Sequence, residues 1–181
     1  MKILITGSFC SGKSTLSSQL SLKLKDSLLI EEVSRELLEV YNNGIDWTLP
    51  ELRDYLIVRQ LFLEKKASLQ SASYIIVDSG VISNIAHDRL LNPSSQNREN
   101  LMNELGHSRY DLVFCCDHSS IELVHDGKRY ANKNLQDKLL HEIRETLEYL
   151  NYKSYIWLKG TIKERLNIAL DWIFQWREYE K

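Results

Sequence analysis

Apolar residues in this chain come in short unbroken runs, separated by longer stretches of helical period. Lys2–Thr6, Ser27–Glu31, Tyr74–Asp78, Asp111–Cys116 and Ser154–Leu158 are each brief and apolar, the pattern of parallel strands covered on both faces. Leu135, Leu139, Ile143, Leu147 and Leu150 recur at spacings of four and three, as do Ile162, Leu166, Ala169, Ile173 and Trp176. These stripes predict amphipathic helices. Strand–helix alternation of this kind predicts an α/β fold, a five-stranded, mainly parallel sheet with helices on both faces.

Two stretches break the rhythm. Asn92–Asn100 is polar and contains Pro93, which predicts a mobile loop. His118–Lys133 is rich in charge and lies between the fourth strand and a long helix. Loops at the carboxyl ends of strands line the ligand crevice of an open α/β sheet, so a lid is expected over about 118–133. No linker divides the chain, and residues 1–181 read as a single domain.

Composition narrows the partners. With 181 residues, 43% apolar and 27% charged, the chain can bury roughly 70% of its unfolded surface. A net charge of −2 supplies no bulk attraction for a nucleic-acid backbone or an anionic membrane, which argues against dedicated nucleic-acid binding. No apolar run is long enough to span a bilayer, and MKILITG enters a strand directly, without the pattern of a secretory signal. The three cysteines, two of them the adjacent Cys115 and Cys116, form neither a disulfide framework nor a zinc spacing. They are expected to be reduced core residues of a cytoplasmic protein. A homo-oligomer is compatible with all of this.

The chemistry starts at Gly7-Ser8-Phe9-Cys10-Ser11-Gly12-Lys13-Ser14, a phosphate-binding loop of the form G-x-x-x-x-G-K-[ST], set between a strand and a helix as that motif requires. Gly7 and Gly12 let the backbone curl so that successive N–H groups, Ser11 among them, point at a β-phosphate. The helix N-terminus adds partial positive charge. Lys13 neutralises the β- and γ-phosphates, Ser14 supplies a magnesium ligand, and Thr15 can reach the α-phosphate. The cofactors expected are therefore Mg²⁺ and a nucleoside triphosphate, ATP or GTP, and the fold a three-layer P-loop NTPase of the nucleoside/nucleotide-kinase kind.

Other candidates surround this cradle. Asp78 ends a buried strand, where a P-loop protein holds magnesium through water; it could instead cap the next helix. Glu32 follows the second strand and could act as base or hydroxyl-orienting group. Alternatively Glu32 and Arg35, three apart, could pair on a solvated helix face. Gln60 lies in the apolar stripe of Leu52, Leu56, Leu63 and Ala67, so its amide needs either a buried protein partner or a substrate. Arg129, in Asp126-Gly127-Lys128-Arg129, could close over the phosphates or belong to an ordinary surface turn. Trp47, Tyr41 and Tyr55 could stack on a planar base or serve only as core.

In their order, these segments resemble the ribosylnicotinamide (nicotinamide riboside) kinase domain of the bifunctional bacterial NAD-biosynthesis regulators and its P-loop ATPase/kinase relatives. The resembling segments are Gly7–Thr15, Glu31-Glu32-Val33-Ser34-Arg35-Glu36, Gln60 with Glu64, Val77-Asp78-Ser79, Asp111–Asp117, Asp126–Arg129 and Gly160–Arg165. The resemblance implies a kinase for a small nucleoside-type substrate, with Glu32, Arg35 and Gln60 on the acceptor side, Asp78 at the metal and Arg129 in a closing lid. Added to the loop reading, the expected set is Trp47 stacking on the acceptor, Ser14 and Asp78 at the metal, and Lys13, Glu32, Asp78 and Arg129 catalytic. The chain departs from many relatives at Gly80, where they carry a second aspartate, and at Leu123-Val124-His125 before the lid motif. A deoxynucleoside or nucleotide kinase is the first alternative; a regulatory P-loop ATPase without a small-molecule acceptor is the second.

Overall fold

The computed structural model describes residues 1–41, 45–93, 110–119, 121, 133–152 and 155–179. Its elements alternate as the sequence predicts: β1 (Lys2–Gly7), α1 (Lys13–Lys23), β2 (Ser27–Ile30), α2 (Ser34–Tyr41), α3 (Pro50–Ser68), β3 (Tyr74–Asp78), α4 (Gly80–Leu91), β4 (Leu112–Cys116), α5 (Lys133–Tyr149), β5 (Ile156–Leu158) and α6 (Ile162–Tyr179). The strands form one parallel sheet in the order β2-β3-β1-β4-β5.

The unbroken apolar runs follow from that order. Every residue of β1, β3 and β4, the three inner strands, is buried. Edge strands β2 and β5 are only partly covered. They are also shorter than expected: β2 stops at Ile30 before the charged Glu31, and β5 begins at Ile156. Alternate residues of each strand feed opposite cores. Ile3, Ile5, Ile76 and Phe114 pack with Leu16, Leu20, Ala169 and Ile173 of α1 and α6. Leu4, Val77, Val113 and Cys115 pack with Ala67, Ile82, Leu139 and Ile143 of α3, α4 and α5. Leu139, Ile143 and Leu147 of the predicted stripe are fully buried.

One expectation is corrected. Cys115 and Cys116 are core residues, and burial pushes both thiols well up, Cys116 to about 11. Cys10 is not core: it is partly exposed within the loop after β1, in the left-handed region with φ 51°. No described helix is long and apolar enough to cross a membrane.

Candidate functional site

The loop after β1 runs into α1 through Gly12, whose φ of +80° lies in the left-handed region. A Cβ there would stand 2.7 Å from Ile162 Cδ1 and 2.9 Å from Ile121 Cδ1, so a side chain would be strained in its torsion and would have to displace two isoleucine side-chain ends. Inside the loop, Lys13 Nζ donates to the Ser8 carbonyl at 2.7 Å and Ser11 Oγ donates to the same oxygen at 2.9 Å. Lys13 and Ser11 are buried, Ser14 half-buried and Thr15 exposed.

Three side chains to which the sequence reading gave no role at this loop hold it from outside. Arg165 is fully buried, and its Nη1 donates to the Ser11 carbonyl at 2.6 Å, its Nε to Gly160 O at 2.9 Å and its Nη2 to Asp117 O. Its charge is met by three backbone dipoles from three segments. Gln136 of α5 donates to the Phe9 carbonyl at 2.7 Å. His118 Nδ1 meets Ser8 Oγ at 2.9 Å while Nε2 meets Asp137 Oδ1 at 3.1 Å. The carboxylate can only accept, so Nε2 carries a proton toward Asp137. The signal for Arg165 was the Gly160–Arg165 match; the other two carry none, because single polar residues acquire meaning only through the fold.

Asp78 stands at the end of β3, opposite Ile5 of β1 in the register. It is 2% exposed and its Oδ1 has no hydrogen-bond partner among the described residues. Burial raises its pKa most and the Glu32 carboxylate adds to this, while Lys13, a hydrogen bond from Ser14 and Arg35 pull the other way. Arg35 Nη2 in turn donates to Ser14 Oγ at 2.6 Å. A buried carboxylate with an orphaned oxygen beside a serine hydroxyl is a hard-oxygen donor set that fits a magnesium ion. Among the described residues no cluster of three or more His, Cys, Asp or Glu could hold a metal, so any such ion would draw its remaining ligands from water and phosphate.

Glu32 is buried and accepts the Ser34 hydroxyl at 2.6 Å, and Arg35 bonds Ser14, so the two do not form the ion pair on a solvated helix face. Glu32 lies on the wall of a cavity of about 280 Å³, together with Phe9 of the loop, Trp47, Leu56 and Leu90. Trp47 is set there by its flanks. Asp46 accepts Thr48 N–H at 2.9 Å and Thr48 Oγ1–H at 2.6 Å, closing an Asx-type turn. Pro50 opens α3. Arg53 then reaches back, Nε donating to the Trp47 carbonyl at 2.7 Å, with the guanidinium 5.7 Å from the indole centroid.

Arg53, Asn84 and His87 also line this cavity, and none was singled out from the sequence. His87 Nδ1 is 2.7 Å from the Ser83 carbonyl, and its ring meets Phe9 edge-on at 4.9 Å. Burial and then Arg53 push its pKa down to about 3.

Gln60 is fully buried but is not on the cavity wall. Its Nε2 donates to Glu64 Oε1 at 3.1 Å. Glu64 also accepts from Tyr110 OH and the Val81 N–H, and pairs with Lys2 Nζ at 2.7 Å. The amide nitrogen therefore has its partner on its own helix, one turn on, while Gln60 Oε1 has no hydrogen-bond partner among the described residues. The same network accounts for Gly80: a Cβ there would lie 2.5 Å from Leu4 Cδ1 and 2.8 Å from Tyr110 OH, leaving no room for a second carboxylate. Tyr55 is exposed on α3. Arg129 and nearly all of the expected lid, with most of the Asn92–Asn100 loop, lie outside the described residues, as does the side chain of Tyr41.

Sheet order, loop and flanking helices define the P-loop kinase fold. The chain belongs to the AAA-domain family, whose model matches residues 2–165. None of the curated proteins matches its sequence significantly. Among solved structures it is similar to a NadR protein in complex with NR (20% identity, TM-score 0.80, 97% of this chain and 51% of that one). It is also similar to thymidylate kinase from Candida albicans (23%, 0.72, 96% and 91%) and to deoxyadenosine kinase from M. mycoides (19%, 0.71, 97% and 100%). The chain spans about half the length of the NadR protein it matches.

Proposed function

We propose that this protein is an ATP-dependent kinase for a small nucleoside-type acceptor, in first place nicotinamide riboside, which it converts to the mononucleotide. One observation carries this reading: Glu32 lies on the wall of a cavity that Phe9 of the phosphate-binding loop also lines. A carboxylate on the wall of a largely apolar cavity that the phosphate-binding loop also lines suits a hydroxyl acceptor.

Loop amides and Lys13 would hold the β- and γ-phosphates, with Arg165 and Gln136 fixing the curl of the loop behind them. Ser14 and Asp78 would hold Mg²⁺, which, when bound, offsets charge on the transferring group. Glu32 would accept the proton of the acceptor hydroxyl, Trp47 would cover the base, and Arg129 would close from the lid. Phosphoryl transfer needs positioning and charge compensation above all, so this set is sufficient. The nucleoside- and nucleotide-kinase neighbours keep a deoxynucleoside or nucleotide acceptor as the second reading.

The test is phosphate transfer from Mg-ATP to a panel of ribosides, deoxynucleosides and nucleoside monophosphates, with wild type and Glu32→Gln. Wild type should phosphorylate the riboside, and the variant should lose on the order of 10²-fold or more in turnover with nucleotide affinity retained. A variant that hydrolyses ATP like wild type, with no acceptor used by either, would indicate a regulatory ATPase instead.

A further inference from the structure

The wall of the acceptor cavity carries more information than a generic nucleoside needs. Most of it is apolar or aromatic, with Phe9, Trp47, Leu56 and Leu90 on its faces. Two polar side chains away from Glu32 stand out because their hydrogen-bonding sense is fixed. Arg53 is a pure donor with five N–H groups, 5% exposed and anchored through Nε to the Trp47 carbonyl. His87 is the opposite. The Ser83 carbonyl can only accept, so Nδ1 carries the proton, and in the neutral imidazole Nε2 is then an acceptor without a hydrogen. Burial and the neighbouring guanidinium both disfavour a second proton on that ring.

Resting on the kinase reading above, we propose that Arg53 and His87 together are specificity-determining: they read an amide-type edge on the acceptor's ring, Arg53 taking its C=O (or ring nitrogen) and His87 Nε2 its N–H. A carboxamide offers both, as do the imide edge of thymine and the amidine edge of adenine. A ring carboxylate offers only acceptors and would set an anion against the His87 lone pair. An unsubstituted ring offers neither group a counterpart, so it forgoes both contacts in an apolar cavity. Nicotinamide riboside and nicotinic acid riboside differ by this one group, so the cavity should separate them.

The experiment is calorimetric binding of nicotinamide riboside, nicotinic acid riboside, thymidine and deoxyadenosine to the Mg-ADP complex of the whole chain, alongside turnover with Mg-ATP. Wild type should bind the amide at least 10-fold more tightly than the acid. His87→Leu should shrink that ratio to about 2-fold or less, and His87→Gln, which restores an acceptor oxygen, should recover part of it. Arg53→Lys should weaken every amide-edged acceptor about 10-fold and leave Mg-ADP affinity alone. Equal or tighter binding of the acid, or one uniform loss for all acceptors in His87→Leu, overturns the proposal. Amide-selective binding without phosphate transfer would keep it and overturn the kinase reading; the thymidine and deoxyadenosine arms say which amide-edged ring is preferred.

Discussion

The phosphate end and the acceptor end of this molecule are built on different principles. At the phosphate end the groups proposed to ligate are main-chain amides, and the loop that presents them is pinned from outside by Arg165, Gln136 and His118 through Ser11, Phe9 and Ser8. At the acceptor end the working groups are side chains from the end of β2, the turn before α3 and the middle of α4, brought together only by tertiary packing. On the proposed reading, the first arrangement would serve any triphosphate and the second would decide what is phosphorylated.

The sharpest way to break this contrast is Lys13→Ala. Removing the one cation inside the loop should lower turnover by on the order of 10³-fold and abolish measurable Mg-ATP binding, checked by calorimetry, while acceptor binding persists. A protein that lost both together would mean that the two ends are not separable.

Asp78→Asn probes the boundary between them and should move activity and stability in opposite directions. Burial and Glu32 raise the folded pKa of Asp78, so keeping it ionised costs stability. That cost is absent below the ordinary carboxylate range, grows as pH rises through it, and is complete above the raised folded value. At neutral pH the asparagine variant should melt about 2–4 °C higher for each kcal/mol recovered, yet transfer phosphate on the order of 10²-fold more slowly. A lower melting temperature would sink this account.

His87→Gln has the smallest effect and reports on the acceptor end alone. Because the folded pKa of His87 lies near 3 against 6.5 for the free ring, the unfolded chain takes up a proton first as pH falls. Stability is therefore whole above about pH 6.5 and drains away toward pH 3, at about 1.4 kcal/mol per pH unit. Urea unfolding between pH 7 and pH 4 should show the variant losing one proton's worth less of that slope. Identical slopes would mean that the histidine is hydrated.

The same contrast explains what was legible in the sequence. Gly7–Ser14 could be read without a fold because its donors are backbone groups whose curl depends on local residue types. Asp78 was legible as the polar end of an apolar run, and Glu32 as a carboxylate after a strand. Arg53 and His87 were not, since a charged residue in a helix's first turn and a lone histidine in the next helix have no period that marks them. Gln60 was the instructive case: its place in an apolar stripe foretold burial and the need for a partner. What the stripe could not reveal was Glu64 one turn away, already held by Lys2 from the far end of β1. Nor could Gly80 be read as anything but a gap until the Tyr110 hydroxyl was seen beside it.

The Asp46 turn, Trp47, Pro50 and Arg53 lie within eight consecutive residues, and Trp47, Thr48 and Arg53 of this stretch line the cavity proposed to take the acceptor. Such a contiguous stretch behaves as an exchangeable cassette. If the proposed activity holds, a short insertion or recombination event there could redirect it to another acceptor in one step with the phosphate-binding loop left intact, and a library confined to those positions is the natural place to evolve a new preference.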